Sequence, residues 1–122
     1  MAVESAQELL SRRCKPCEGG VEPISPEEAR EQAAKLEGWS VSENGKAIGK
    51  RWKMRNFVAA LEFFRLVGDL AEAEQHHPDL HLRGYREAAI EISTHAIGGL
   101  SENDFILAAK IDRLSCDGTP RT

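Results

Sequence analysis

The feature that most constrains the fold is one long amphipathic segment in the middle of the chain, residues 56–75. Its apolar positions step by four and three residues, which is the spacing of one face of an α-helix. These positions are Phe57, Leu61, Phe64, Gly68 and Ala71. Pro78 ends the segment, because the residue before a proline is driven out of the helical region. The pattern predicts one long helix that packs by this face onto the rest of the domain.

Shorter segments on both sides of this helix predict two pairs of strands. Residues 39–41 and 47–53 precede it and flank Glu43-Asn44-Gly45, a tight-turn sequence. Residues 80–85 and 86–94 follow it. Apolar side chains alternate with charged ones in the longer strands, as expected when one sheet face is buried. The apolar parity is Ile48, Trp52 and Met54 in one strand, and Ala88, Ile90, Ile92 and Thr94 in the other.

Two further helices complete the predicted order. Ser25-Pro26-Glu27-Glu28 has the capping serine, first-turn proline and acidic residues of a helix start, and this helix should end near Gly38. Ser101 caps a last helix that runs to about residue 114. The order α-β-β-α-β-β-α predicts an α+β two-layer sandwich, a four-stranded antiparallel sheet with three helices on one face. We expect residues 1–24 to be an irregular extension, 25–114 the domain and 115–122 a flexible tail.

Composition excludes several classes of protein. The chain has 122 residues, 41% of them hydrophobic and 30% charged, which suits one folded domain. A net charge of −4 argues against non-specific binding of nucleic acid or acidic membranes. No apolar run approaches the roughly 20 residues that cross a bilayer. Three cysteines, an odd number, favour a reducing compartment. Residues 1–17 have early acidic residues and no continuous apolar core, so they are a poor signal peptide, and we expect a cytoplasmic protein.

The candidate chemistry lies between residues 76 and 95, where all four histidines of the chain occur. Histidine exchanges protons near neutral pH, so a cluster of histidines indicates acid–base catalysis. Glu72 precedes His76 by four residues, which places both on one helix face. The alternative is structural, because His76 and His77 at a helix C-terminus can simply bond the last free carbonyls. For a single histidine, this alternative is the stronger one.

Asp104 also has two compatible interpretations. Ser101-Glu102-Asn103-Asp104 has the spacing of a capping box, in which the third helical side chain reaches back to the cap. An acidic side chain beside the histidines could equally hold one of them in position. The spacing alone does not separate these two roles.

Metal binding and redox chemistry are weaker alternatives. Cys14-x-x-Cys17 has zinc-knuckle spacing, yet no second cysteine pair accompanies it, and Cys116 is alone. His77 and His81 have the spacing of a helical zinc pair, but Pro78 between them disfavours a continuous helix. No strand leads into the Cys pair as in a thioredoxin-like unit. We therefore expect neither a resident metal nor a cofactor.

Together these residues resemble the pterin-4a-carbinolamine dehydratases. The matching pattern is Glu72-x-x-x-His76-His77-Pro78, then Tyr85, His95 and Asp104. Gly38-Trp39 and the stretch 93–104 agree with it, and the resemblance covers about residues 25–114. Ile97 replaces a cysteine that some members carry. Cys14 and Cys17 lie outside the resemblance, and His81 lies within its range but is not part of the pattern.

The resemblance implies a cofactor-free enzyme that removes water from a 4a-hydroxytetrahydropterin, giving a quinonoid dihydropterin. It implies that His76 and His95 are the acid–base pair and that His77 binds and polarises the substrate. Glu72 would then orient His76, and Asp104 a neighbouring histidine. The implied substrate-binding residues are Pro78, Ser93, Thr94 and Trp39.

The resemblance also bears on partners. It implies a small-molecule pterin substrate, no direct nucleic-acid or membrane partner, and a homodimer or homotetramer. Because some relatives serve as protein-assembly factors or coactivators, a non-catalytic scaffold is the alternative function.

Overall fold

A computed structural model describes residues 3–15, 22–114 and 117–120. It is an antiparallel sheet with helices packed on one face, which confirms the predicted α+β class. The helices are α1 Ala6–Leu10, α2 Pro26–Ala33, α3 Phe57–Glu74 and α4 Glu102–Asp112. The strands are β1 Ser40–Val41, β2 Ile48–Met54, β3 Asp79–Arg83, β4 Glu87–Ile92 and β5 Gly118–Pro120. A short 3₁₀ turn, His95–Ile97, follows β4.

The sheet has the strand order β1-β2-β4-β3, with β5 pairing to β2 as well. β2 pairs with β4 along almost its whole length, from Ile48 opposite Ile92 to Lys53 opposite Glu87. β1 and β5 each pair with one end of β2. The alternation predicted for β2 and β4 is confirmed, because their apolar parity faces the helices and is buried.

Local sequence signals explain where the helices begin and end. The Ser25 hydroxyl accepts from the Glu28 amide and Pro26 occupies the first turn of α2. The Asn56 side chain caps α3 by accepting from the Ala59 amide. At the other end of α3, Gln75 takes a left-handed conformation (φ 54°), which ends the helix before Pro78 is reached.

The buried face of α3 differs from the predicted one. The residues that face the sheet are Ala60, Phe63, Val67 and Ala71. Of the predicted stripe only Ala71 is buried, whereas Phe57 and Leu61 are about half exposed. Both stripes are apolar, so periodicity could not choose between them. Tertiary packing selects the stripe that is buried, because Phe63 contacts Trp52 of β2 edge to face, with 5.0 Å between the ring centroids.

Two elements occur where irregular structure was predicted. α1 forms within the N-terminal extension, begins with a Ser5–Glu8 capping box and buries Leu9 completely. β5 forms within the tail that was predicted to be flexible and pairs Gly118 with Met54 of β2. Both are too short for periodicity to show, and both depend on contacts distant in sequence. The described chain therefore has four helices and five strands rather than three and four.

A buried lysine on the apolar side of β2 was also not predicted. The Lys50 ammonium contacts Asp112 at 2.9 Å and the Glu37 carbonyl at 2.9 Å. Burial raises the pKa of Asp112, while Lys50 and the Trp39 indole partly oppose that rise. The Lys50 stem fills the space where a side chain on Gly38 would project, at 2.9 Å from an added Cβ, and Gly38 has φ +84°.

Candidate active site

The end of α3 positions the first two histidines. The His76 amide donates to the Ala71 carbonyl at 3.2 Å, so His76 comes immediately after the left-handed Gln75 and outside the helix. This reversal of the backbone rotates His76 away from the helix face that holds Glu72. The predicted Glu72–His76 contact is therefore wrong in its partner: Glu72 contacts His77 instead.

His76 contacts Asp104 at the start of α4. Its Nε2 lies 2.7 Å from Asp104 Oδ1, and the two side chains are 11% and 0% exposed. The other carboxylate oxygen accepts from the Ser101 amide and from the Thr94 hydroxyl, each at 2.8 Å. The predicted reach of Asp104 back to its cap residue is thus confirmed, and the same carboxylate also holds a histidine.

This arrangement determines what the His76 ring can do. A carboxylate only accepts hydrogen bonds, so the nitrogen that faces Asp104 must carry a proton. The remaining ring nitrogen, Nδ1, is then the one that can accept or release a proton in a reaction. Because Asp104 is itself held by Thr94 and Ser101, the ring has one preferred orientation.

His77 forms a second pair with a different character. Its Nε2 lies 2.5 Å from Glu72 Oε2, and the side chains are 58% and 74% exposed. Such a pair is solvated and gains little from its charge attraction. It leaves the ring accessible to a ligand from solution.

His95 lies at the first position of the 3₁₀ turn that follows β4, and its side chain is exposed. The preceding residue, Thr94, bridges to Gly99 and donates its hydroxyl to Asp104. Thr94, Asp104 and His76 therefore form a hydrogen-bonded chain that ties the backbone beside His95 to the end of α3.

The predicted substrate-binding residues separate into two groups. Pro78 and Ser93 are half-buried neighbours of His77 and of Thr94 in the chain. Thr94 is buried and turned onto Asp104. Trp39 is also buried, and its indole donates to Asp112 at the far end of α4, about 12 Å along the helix from Asp104. The structure therefore does not bring Trp39 together with the histidines.

Several polar groups around the pair were missed in the sequence. Glu74 contacts Lys110 at 3.0 Å and accepts from the Cys14 amide at 2.9 Å. Burial acts to raise the pKa of Glu74, but the Cys14 amide and the Lys110 ammonium outweigh it, and that pKa is lowered. Nothing in the local sequence indicated these contacts, because Cys14 and Lys110 are distant from Glu74 along the chain.

Cys14, the first cysteine of the pair, is partly buried beside Glu74. Burial, followed by the neighbouring Glu74 charge, raises the pKa of the Cys14 thiol to about 12. Metal ligation and nucleophilic attack need the thiolate, which this environment disfavours. Within the described ranges, no three potential metal-ligating side chains converge. Cys17 and Cys116 lie outside the described residues.

Comparison with known proteins identifies the class of fold. The crystal structure of a transcriptional coactivator/pterin dehydratase from Brucella melitensis superposes with a TM-score of 0.69 and 26% identity. The superposition covers 75% of this chain and 96% of that one. The fold and the histidine-bearing helix end therefore define a protein of the pterin dehydratase class.

Sequence comparison then shows the family. The profile of the pterin 4 alpha carbinolamine dehydratase family matches residues 22–114. The chain belongs to this family of hydro-lyases.

Two relatives illustrate the range of the match. The Arabidopsis thaliana protein named pterin-4-alpha-carbinolamine dehydratase 2, mitochondrial, is 41% identical over 93% of this chain and 62% of its own length. A Halorhodospira halophila protein, provisionally named for the same activity, is 47% identical over 87% of this chain and 96% of its own length. None of the described helices is both long and apolar enough to cross a membrane.

Proposed function

We propose that the chain dehydrates a 4a-hydroxytetrahydropterin to the quinonoid dihydropterin by histidine acid–base catalysis. Family membership supports the reaction class. The observation that supports the mechanism is the His76–Asp104 pair, which is buried and held by Thr94 and Ser101. His77 follows His76 in the chain, His95 follows Thr94, and both are exposed. A histidine held in one orientation next to accessible histidines is what positioned proton transfer requires.

The reaction balances with two proton transfers and no redox step. The C4a–O bond breaks and the oxygen leaves with an added proton as water. N5 loses its proton, and the electron pair of that N–H bond forms the C4a=N5 double bond. One imidazolium therefore acts at the departing oxygen and one neutral imidazole at N5. Positioned proton transfer of this kind accelerates a reaction roughly 10²- to 10⁴-fold.

The proposal assigns separate roles to the three histidines. His76 and His95 form the acid–base pair, with Asp104 orienting His76. His77 binds and polarises the pterin and keeps Glu72 as its partner. Pro78, which follows His77 in the chain, and Ser93, which precedes Thr94, contact the bound pterin in this assignment. Trp39 has no place in this assignment, since its side chain is buried against Asp112.

A coupled hydroxylase assay tests the function directly. Purified protein should accelerate decay of the 4a-hydroxytetrahydropterin, and a His76→Ala/His95→Ala double variant should lose most of that acceleration. His81→Ala is the matched control: His81 lies on the opposite sheet face, 3.9 Å from Glu91, and its loss should leave the rate unchanged. Wild-type protein no faster than buffer would remove the proposal and favour the non-catalytic scaffold.

We also propose that the protein is a cytoplasmic homo-oligomer. Phe57, Val58 and Leu61 expose an apolar stripe on α3, and such a stripe is commonly covered by another protein surface. Light scattering should give a multiple of the monomer mass, and Leu61→Glu should lower that mass. A monomer at micromolar concentration would contradict the proposed homo-oligomer.

The proposed cytoplasmic location is supported by the odd number of cysteines, and cell fractionation tests it.

A further inference from the structure

The N-terminal arm, residues 3–15, lies outside the part of the chain that the family profile matches, which begins at residue 22. Its helix α1 nevertheless packs against α4, and Leu9 is completely buried in the core. The arm is therefore a folded part of the domain. Different elements of the fold hold its beginning and its end.

The beginning of the arm is held by α2. The Glu4 amide donates to the Gln32 side chain at 2.8 Å, and the Gln32 amide group donates back to the Glu4 carbonyl at 2.7 Å. Gln32 is completely buried. We call these two reciprocal hydrogen bonds the distal clasp, because they join the arm to α2 and involve neither α3 nor α4.

The end of the arm is held by α4 in the same manner. The Lys15 amide donates to Asn103 Oδ1 at 2.9 Å, and Asn103 Nδ2 donates to the Lys15 carbonyl at 2.6 Å. Asn103 is buried and directly precedes Asp104. We call this second reciprocal pair the proximal clasp.

The same end of the arm also holds α3. The Cys14 amide donates to Glu74 Oε1 at 2.9 Å, and Glu74 precedes His76 by two residues. The second oxygen of Glu74 contacts Lys110 of α4 at 3.0 Å. Consecutive residues of the arm, Cys14 and Lys15, thus reach the two elements that carry His76 and Asp104.

We propose that the proximal clasp is a positioning device for the active site, with Asn103 and Glu74 as positioning residues. The His76–Asp104 contact joins the end of α3 to the start of α4. The arm spans that junction one residue away from Asp104 and two away from His76. It restrains the separation of the two helices, and with it the orientation of the His76 ring. Small displacements of a catalytic group lower the rate steeply, so such a restraint matters for turnover.

The inference rests on the proposed function, and two variants matched in chemistry test it. Asn103→Ala and Gln32→Ala each remove one buried amide that makes a reciprocal pair with the arm backbone. Both should lower the melting temperature by a similar amount. Only Asn103→Ala should lower kcat, by about tenfold with KM within about twofold, because only the proximal clasp adjoins the catalytic pair.

A spectroscopic readout separates positioning from a general loss of stability. In ¹⁵N-labelled protein, the ring proton that His76 shares with Asp104 should give a shifted signal, assigned by its loss in His76→Gln. Asn103→Ala should move or broaden that signal, and Gln32→Ala should leave it in place. This comparison needs no turnover. If wild-type protein lacks dehydratase activity, the proposed function fails while the positioning role is still tested.

Two outcomes would overturn the positioning role. In one, folded Asn103→Ala keeps the wild-type kcat and His76 signal. In the other, both alanine variants lose kcat equally. Should Asn103→Ala not fold, Glu74→Gln takes its place, since it weakens the link from α3 to Lys110 while preserving the size of the side chain. An unchanged His76 signal in that variant would overturn the inference as well.

Discussion

Two adjacent histidines each contact a carboxylate, and the two pairs are built differently. His76 and Asp104 are nearly inaccessible to solvent, and Asp104 receives further hydrogen bonds from Thr94 and Ser101. His77 and Glu72 are both largely exposed. In the first pair, charge and hydrogen bonding act in a medium of low polarity, where they are strong and where removing one partner leaves the other unsatisfied. In the second pair, water and salt compete.

The comparison shows that a short distance between a histidine and its carboxylate is a poor guide to function here. The exposed pair has the shorter distance, 2.5 Å against 2.7 Å. The buried pair is the one with a fixed orientation, because three elements of the fold meet at Asp104. Four substitutions or conditions should separate the two pairs, in order of decreasing effect.

Substitution of the two carboxylates should give the largest difference. Asp104→Asn replaces an acceptor with a group that donates toward His76 or Thr94, so the ring loses its tautomer and orientation. We expect kcat to fall about 100-fold, the lower end of what positioned proton transfer contributes. Glu72→Gln should lower kcat by no more than about threefold, because an exposed pair contributes little. Steady-state kinetics of both variants measure this, and equal losses would contradict the difference between the pairs.

Removal of one hydroxyl should loosen only the buried pair. Thr94→Val keeps the shape of the side chain but deletes the donor to Asp104 Oδ2. We expect about a fivefold loss in kcat and about 1–2 kcal/mol in the free energy of unfolding, the cost of leaving a buried acceptor short of a partner. Thr94→Ser retains the hydroxyl and should recover most of both. Steady-state kinetics and urea unfolding measure these two quantities. If Thr94→Ser loses as much kcat and stability as Thr94→Val, then the packing of the side chain matters and the hydrogen bond does not.

Lowering the pH should reveal how much Glu74, the carboxylate two residues before His76, contributes to stability. The pKa of Glu74 is lowered in the folded protein, so its contribution to stability is complete above the ordinary value of 4.5 and is lost as the pH falls through the folded value. In Glu74→Gln that part of the acid-side loss should disappear, and the unfolding free energy should fall less between pH 5 and pH 3. Glu72→Gln, on the exposed side of the same helix, is the control. An equal fall in unfolding free energy between pH 5 and pH 3 in wild type and in Glu74→Gln would contradict this role of Glu74.

Salt should have the smallest effect and should act on the exposed pair. Raising the ionic strength from 0.15 M to 1 M shortens the Debye length from about 8 Å to about 3 Å. The His77–Glu72 attraction should weaken, and the ring NMR signals of His77 should shift. The His76 ring signal should not respond. A larger salt response at His76 than at His77 would reverse the interpretation of which pair is solvated.

Most of the fold was predictable from local patterns, with particular exceptions. The parity of β2 and β4 and the capping residues Ser25 and Ser101 indicated elements that the structure contains. The buried face of α3 was predicted incorrectly, because two apolar stripes compete and only the fit of Phe63 against Trp52 selects one. The extension and the tail were predicted to be irregular. α1 and β5 form there through contacts with α4 and β2.

The candidate site divides in the same way. The histidines, Pro78 and Asp104 could be picked out by type and spacing. The pairing of Glu72 with His77 could not, since it depends on the left-handed turn at Gln75. The buried position of Trp39 could not either, because Asp112 and Lys50, its neighbours, are distant in sequence. The catalytic roles of these residues stay predictions until the variants are measured.

By itself, the sequence determined the family, the α+β order of elements and the set of residues that can exchange protons. Those properties depend on residue type, on short-range spacing and on capping, which are local. Tertiary structure alone decided which histidine meets which carboxylate, which of those pairs is buried, and that the N-terminal arm reaches the junction of α3 and α4. The physical reason is that burial and hydrogen-bond partnership are set by the three-dimensional approach of segments far apart in the chain. The strength of each polar contact depends on that burial.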